Sequence, residues 1–293
     1  MHFAFSLAVK AGDILIPVAI TGGLALFFGG VLAVVAKFFE IPLSEKQTRV
    51  REMLPGANCG ACGYTGCDGY AAALANDGVP TGLCPVGGAP LSASLAEFLG
   101  VEAQSVEQRV ACVMCNGTSE HTRTRYEYQG IPDCVTASMM FAGPWACTYG
   151  CLGLGTCVQA CPYGALSVVD GVAIVDNAKC TACELCVAAC PKKLISMIPM
   201  REASYQVKCR NLTSGAETRK ICTVGCIGCS RCVKACGDDA IHLDGGPLAL
   251  IDQDKCTACG KCKAVCPTNS IHSWGTDVGA APAEAPVAAG VAQ

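Results

Sequence analysis

Cysteine spacing is where chemistry first shows in this chain. Cys180, Cys183, Cys186 and Cys190 before Pro191 read C-x2-C-x2-C-x3-C-P, and Cys256, Cys259, Cys262 and Cys266 before Pro267 repeat the run. Such a run holds a [4Fe–4S] cube with its first three thiolates and lends its fourth to a neighbouring cube. Each run therefore needs an upstream partner, and CTYGCLGLGTCVQAC at 147–161 and CTVGCIGCSRCVKAC at 222–236 supply one apiece. The two upstream runs align without a gap at an offset of 75, and KCTAC at 179–183 recurs at 255–259, an offset of 76, so the region is an internal duplication.

Exchanging fourth ligands gives four sites. The second takes Cys180, Cys183, Cys186 and Cys161; the third Cys226, Cys229, Cys232 and Cys266; the fourth Cys256, Cys259, Cys262 and Cys236. The first takes Cys151, Cys157 and Cys190 but lacks a thiolate, because Leu154 stands where the duplicate has Cys229. Either that site has three protein thiolates or Cys147 completes it, and Gly153 and Gly155, which loosen the loop, favour Cys147. A fifth group lies upstream: Cys59, Cys62, Cys67 and Cys84, spaced C-x2-C-x4-C-x16-C. Gly60, Gly63 and Gly66 let its backbone turn with positive φ and aim N–H groups inward. A zinc ribbon would show two C-x2-C knuckles, so a cluster is favoured here too. Cys112, Cys115, Cys134, Cys209 and Cys222 remain, and VMCNGT and VKCRNLT resemble each other as duplicates. Four of these five suggest a sixth site with no identifiable fourth ligand; the alternative is buried thiols packing as small hydrophobes.

What is absent narrows the function. A net charge of −3 provides no broad basic face for nucleic acid. No G-x-G-x-x-G joins a strand to a helix, the glycines of GCLGLG surround a cysteine, and His2, His121, His242 and His272 show no ligand spacing. No nucleophile and base pair stands out, so no catalytic residues are assigned. The 25 cysteines are odd in number and mostly arranged as C-x2-C runs, which favours metal over a disulfide scaffold. Lys179, Lys192, Lys193, Lys255, Lys261 and Lys263 flank the runs; they read chiefly as a solvated surface and secondarily as a dock for an acidic redox partner.

The elements that position these residues follow an α+β plan. Residues 1–40 form a membrane anchor, since Ile14 to Ala36 is a charge-free stretch of 23 residues, long enough to span hydrocarbon as a helix with Pro17 in its first turn. Lys37, Lys46, Arg49 and Arg51 after the span, against Lys10 before it, put the cysteine-rich part in the cytoplasm, where thiols stay reduced. Residues 41–100 make a small four-cysteine domain and 101–140 a connecting segment. Residues 141–203 and 204–274 make two tandem bacterial-type dicluster ferredoxin modules, and the Ala/Pro-rich 275–293 a disordered tail. LSVVDGVAIVD and IHLDGGPLALID each place Asp-Gly between β-prone segments, a hairpin signal inside each module.

The anchor followed by LPGANCGACGYTGCDGYAAAL, LCPVGG, ACVMCNGT and ferredoxin runs resembles the B subunit of the Rnf complex, the ion-translocating ferredoxin:NAD oxidoreductase, over about residues 10–274. The resemblance implies a single-pass subunit of the bacterial cytoplasmic membrane, while the cysteine spacing itself gives five [4Fe–4S] clusters with scope for a sixth. It also implies electrons from reduced soluble ferredoxin passed to membrane and flavin-bearing subunits, with activity belonging to the whole translocase. Shorter members resemble this chain with one ferredoxin module, whereas two are present here. The alternative function is a polyferredoxin donor to another redox system: a hydrogenase, a corrinoid activator or a complex that keeps a redox regulator reduced. A structural zinc protein is the reading from a different class.

Overall fold

The computed structural model describes residues 11–38, 44–104, 107–201, 204–243 and 245–274, in two units divided after Thr48. The expected tail at 275–293, and Lys10 and His2 before the anchor, lie outside the described residues. In the first unit, α1 runs from Ala11 to Phe38, 28 residues, or about 42 Å at 1.5 Å each. Its stretch Val18–Val35 is apolar enough to cross a membrane and none of it is buried. A helix that is apolar on every side has no aqueous face, and lipid is the solvent that suits it. The helix begins before the charge-free stretch, so Pro17 falls in its second turn and leaves the Asp13 carbonyl without its usual N–H donor.

The second unit opens within α2 (Glu45–Met53) and continues with α3 (Gly66–Asn76) and α4 (Gly88–Leu99) around the first cysteine group. Val50, Leu54, Tyr70, Leu74 and Leu95 fill its core together with Cys67 and Cys84. Arg51 Nε meets Asp68 Oδ1 at 2.6 Å, linking α2 to α3, and Tyr70 donates its hydroxyl to the Pro80 carbonyl at 2.7 Å.

Two ferredoxin-like modules follow. The first contains β1 (Arg109–Val113), α5 (Cys134–Met139), α6 (Thr156–Gln159), β2 (Leu166–Val169), β3 (Val172–Val175), α7 (Leu185–Ala189) and β4 (Ile195–Pro199). The second repeats it with β5 (Ser204–Val207), α8 (Gly215–Ile221), α9 (Arg231–Ala235), β6 (Ile241–Leu243), β7 (Ala249–Ile251), α10 (Lys261–Ala264) and β8 (Ile271–Trp274). The hairpins fall where Asp-Gly sits. β2 pairs β3 antiparallel across Asp170 and Gly171, at φ 48° and 81°, the primed turn that suits strand twist. β6 pairs β7 antiparallel as well, Ile241 opposite Ile251, across a longer five-residue connection. Each module is closed by its outermost strands, Arg109 opposite Pro199 in β1 and β4, and Ser204 opposite Trp274 in β5 and β8. The segment 101–140, expected only to connect domains, thus contributes β1 to the first module, and Val110–Cys115 pack with Leu166, Val172 and Ile195 in one core. Closing strands were not foreseen, because RVACV and SYQV are too short to show a clear period of two.

Candidate metal centres

In the first group, Cys59, Cys62 and Cys67 ride the turn that starts α3, with Cys84 beyond the 3-10 turn Thr81–Leu83. Gly60, Gly63 and Gly66 have φ of 75°, 85° and 84°, as their spacing predicted. Asn58 Oδ1 accepts the Cys67 N–H at 2.8 Å and locks the turn. Cys84 feels the charge of Cys62 and Cys67, and Cys183 that of Cys59, so this group faces the first module.

The ferredoxin loops share one backbone device. Between the first and third cysteine positions of each loop, two residues adopt the left-handed conformation: Gly153 and Gly155, Ala182 and Glu184, Gly228 and Ser230, Ala258 and Gly260. Four of these eight carry side chains and bear a strain that glycine avoids. Alternating handedness turns successive N–H groups to one side, a concavity that binds anions such as cluster sulfides. Two of the glycines also face steric limits, since a Cβ at Gly153 would lie 2.5 Å from the Gly171 carbonyl and one at Gly228 2.6 Å from that of Pro247.

Four cysteines line each of five open cavities of about 290 to 360 Å3. Three match the exchanged sets: Cys161, Cys180, Cys183 and Cys186; Cys226, Cys229, Cys232 and Cys266; Cys236, Cys256, Cys259 and Cys262. The fourth corrects an expectation. Cys151, Cys157 and Cys190 are joined there by Cys134, not by Cys147. Asp133 caps α5 by accepting the Thr136 N–H at 2.8 Å, and also accepts the Thr156 hydroxyl at 2.8 Å. Thr156 in turn accepts the Cys134 N–H at 2.8 Å, so α5 is pinned over the loop with its cysteine facing Cys151 and Cys157. A sequence signal for this existed. Cys112 and Cys134 are the two leftover cysteines with no counterpart in the duplicate, and Leu154 is the position that lost one.

The fifth cavity gathers Cys115, Cys147, Cys209 and Cys222. Three of the five unassigned cysteines belong here, the missing partner being Cys147. Cys112, 0% exposed in β1 opposite Ser196, belongs to none of these cavities and packs as a core residue.

Burial pushes the metal-free thiols of Cys115, Cys157 and Cys186 up to about 12, so they are neutral at ordinary pH and inert as nucleophiles. A coordinating metal reverses this by deprotonating its thiols outright. Zinc requires sulfurs about 3.8 Å apart, from a tetrahedron with 2.3 Å bonds. Among the described residues no three Cys, His, Asp or Glu side chains converge to hold one ion. Four thiols spread around a cavity fit a cube, whose irons and sulfides occupy the space between them. Of the flanking lysines, Lys192 is half-buried and donates to the carbonyls of Ala142 at 2.7 Å and Thr148 at 2.8 Å, so it fastens a loop rather than offering a docking charge. Lys179 and Lys255 face Asp176 at 3.5 Å and Asp252 at 4.0 Å.

Comparison with known proteins agrees with this geometry. The family model "Putative Fe-S cluster" matches residues 54–86, "4Fe-4S binding domain" matches 173–196 and "4Fe-4S dicluster domain" matches 220–273. The chain is 45% identical over 244 residues to the B subunit of the Na(+)-translocating ferredoxin:NAD(+) oxidoreductase complex of Acetobacterium woodii, covering 83% of this chain and 73% of that protein. It is 42% identical over 241 residues to the B subunit of the ion-translocating oxidoreductase complex of Methanosarcina acetivorans, covering 82% and 90%. The chain belongs to this B-subunit family. Another member, the B subunit of the proton-translocating ferredoxin:NAD(+) oxidoreductase complex of Clostridium ljungdahlii, is 41% identical over 235 residues, covering 80% of this chain and 82% of its own. Residues Cys112 to Cys161 lie outside all three family-model matches, and that is the segment where the ligand sets departed from expectation.

Proposed function

We propose that this chain is the membrane-anchored electron-relay subunit of an ion-translocating ferredoxin:NAD oxidoreductase complex, taking electrons from reduced ferredoxin and handing them to membrane and flavin-bearing subunits. The observation that carries this reading is the succession of four-cysteine sites, adjacent from the first group into the first module and again within the second. Cys59 lies within electrostatic reach of Cys183, and Cys157 of Cys186. Within the second module, α9 carries Cys232 of one site and leads to Cys236 of the next, while α10 carries Cys262 and leads back to Cys266. The five sets that hold clusters are Cys59, Cys62, Cys67, Cys84; Cys161, Cys180, Cys183, Cys186; Cys134, Cys151, Cys157, Cys190; Cys226, Cys229, Cys232, Cys266; and Cys236, Cys256, Cys259, Cys262.

A bound [4Fe–4S] cluster supplies a one-electron couple whose potential is set by hydrogen bonds to sulfur and by exposure. The chain's residues do the rest. The left-handed loop residues aim N–H groups at the sulfides, and the Leu194 and Ser270 N–H groups donate to Cys190 Sγ at 3.5 Å and Cys266 Sγ at 3.3 Å. Cys229 and Cys259 are exposed, and Cys259, just ahead of α10, leaves that end of the second module open to a partner. Lys261 and Lys263 on α10 give that end a positive face for acidic ferredoxin. The four-cysteine domain nearest the anchor in sequence then serves the membrane subunits. Lys37, Lys46, Arg49 and Arg51 orient α1 with everything after it in the cytoplasm.

The test is anaerobic purification of the chain, analysis of iron, sulfide and zinc, and EPR after reduction by dithionite and by reduced ferredoxin. Interacting [4Fe–4S] signals from both reductants are expected. A colourless, zinc-rich protein without signals would refute the relay. Reduction by dithionite but not by ferredoxin would move the entry point to another subunit.

A further inference from the structure

The four ferredoxin-type sites share one lining position, and the residue there changes in charge from site to site. Each exchanged cysteine is followed two residues later by a side chain that lines its cavity: Tyr163 after Cys161, Lys192 after Cys190, Asp238 after Cys236 and Thr268 after Cys266. We propose that Lys192 tunes the site of Cys134, Cys151, Cys157 and Cys190, giving it the highest potential of the four and making it the point where the relay holds an electron. This deepens the relay reading and rests on it.

The duplication supplies the comparison. Lys192 and Thr268 each follow Cys-Pro at equivalent places, so the two sites differ there by a full charge. Among the described residues Lys192 is the one charged side chain lining its cavity. No charged residue lines the cavity of Thr268, Asp238 shares its cavity with Lys261, and that of Tyr163 has Glu184. Reduction adds negative charge to a site, so a positive neighbour raises its potential and a negative one lowers it.

The ammonium is also held in place. Lys192 is half-buried, and its two bonds to the Ala142 and Thr148 carbonyls, at 2.7 and 2.8 Å, keep it from swinging into water. It lies within electrostatic reach of Cys190. Arg125 grips the carbonyls on either side of Ala142, those of Phe141 and Gly143, both at 2.6 Å, and brings a second positive charge within reach of Lys192. The acid of this region, Asp133, does not line the cavity and is occupied by the Thr136 N–H and the Thr156 hydroxyl.

Position gives the tuning its role. Cys157 of this site lies within electrostatic reach of Cys186 in the neighbouring one, which in turn leads through Cys183 to Cys59. An electron passing between them oxidises one site and reduces the other; no bond forms or breaks, and the ammonium keeps its proton. A station that fills first and empties last holds the electron in the first module until the four-cysteine domain draws it on.

EPR-monitored reductive titration of the full-length chain, purified anaerobically in detergent, tests this. Of the waves from the four ferredoxin-type sites, the one that Cys134→Ala alters should reduce first. Lys192→Met should weaken reduction of that wave about tenfold, a shift of about 59 mV downward for one electron, with iron content unchanged. Lys192→Arg, which keeps the charge, should leave it in place, and Thr268→Lys should raise the wave that Cys229→Ala alters. A wild type in which the Cys134 wave does not reduce first, or an iron-replete Lys192→Met with that wave unmoved, overturns the proposal and leaves the relay intact. A wild type without cluster waves overturns both. Where Lys192→Met loses iron, the wild-type order and Thr268→Lys decide.

Discussion

Leu154 occupies a thiolate's place, and its consequence can be tested by exchange. Cys134→Ala should cost the first ferredoxin site its fourth ligand and lower iron by one to four per chain, and adding Leu154→Cys to that variant should restore it, because Gly153 and Gly155 already hold the loop in the cluster-bearing conformation of its duplicate. Failure of the double variant to recover iron or its EPR signal would mean that the loop does not cradle a cluster. Asp133→Ala removes both the α5 cap and the bond to Thr156, so it should destabilise α5 and speed iron loss without abolishing binding. The cysteine runs told nearly everything about ligands that lie close together in sequence. They were silent on Cys134, 17 residues before Cys151, because ligation across a loop depends on where α5 docks and no local spacing encodes that.

Elements differ in how firmly the sequence specified them. The Asp-Gly hairpins and the cluster loops were legible, since only a few residue types tolerate positive φ. The closing pairs β1–β4 and β5–β8 were not, because their partners lie far apart in the chain and each strand is short. Gly153→Ala and Gly228→Ala each test a loop against its hairpin. With φ of 71° and 64° and a carbonyl within 2.6 Å of the added Cβ, each should destabilise its module by about 1–3 kcal/mol, read as a lower temperature of iron release. Unchanged release would show that the hairpin tip moves freely. The helix α1 carries its own prediction: the full chain should stay with membranes through high-salt and alkaline washes and leave only with detergent. Release by salt alone would make α1 a peripheral contact.

The molecule as a whole leans on metal for its stability. Its modules share short strands and helices of four to seven residues around small cores, so stripping iron should leave a weakly cooperative fold with a sharply lowered denaturant midpoint. That metal-free fold should weaken further in alkali. Burial raises Cys112, Cys115, Cys157 and Cys186 from 9.0 to about 12. The unfolded chain releases those protons first, so stability is full below about 9 and falls as pH rises toward about 12. A chelated sample with equal denaturant midpoints at pH 7 and pH 10.5 would contradict this. The duplicated architecture was readable from the two offsets, yet its central consequence, a junction where equivalent cysteines converge, appeared only when β1 and β5 carried Cys115 and Cys209 inward. The closing strands also impose an order of manufacture. Cys59 to Cys84 emerge from the ribosome together and can be loaded at once, whereas β1 has no partner until β4 is synthesised, and Cys115 must wait for Cys222. A nascent chain therefore exposes unfilled thiols through much of its synthesis, and the machinery that delivers iron and sulfide must act on a chain that is still incomplete at one end and already finished at the other.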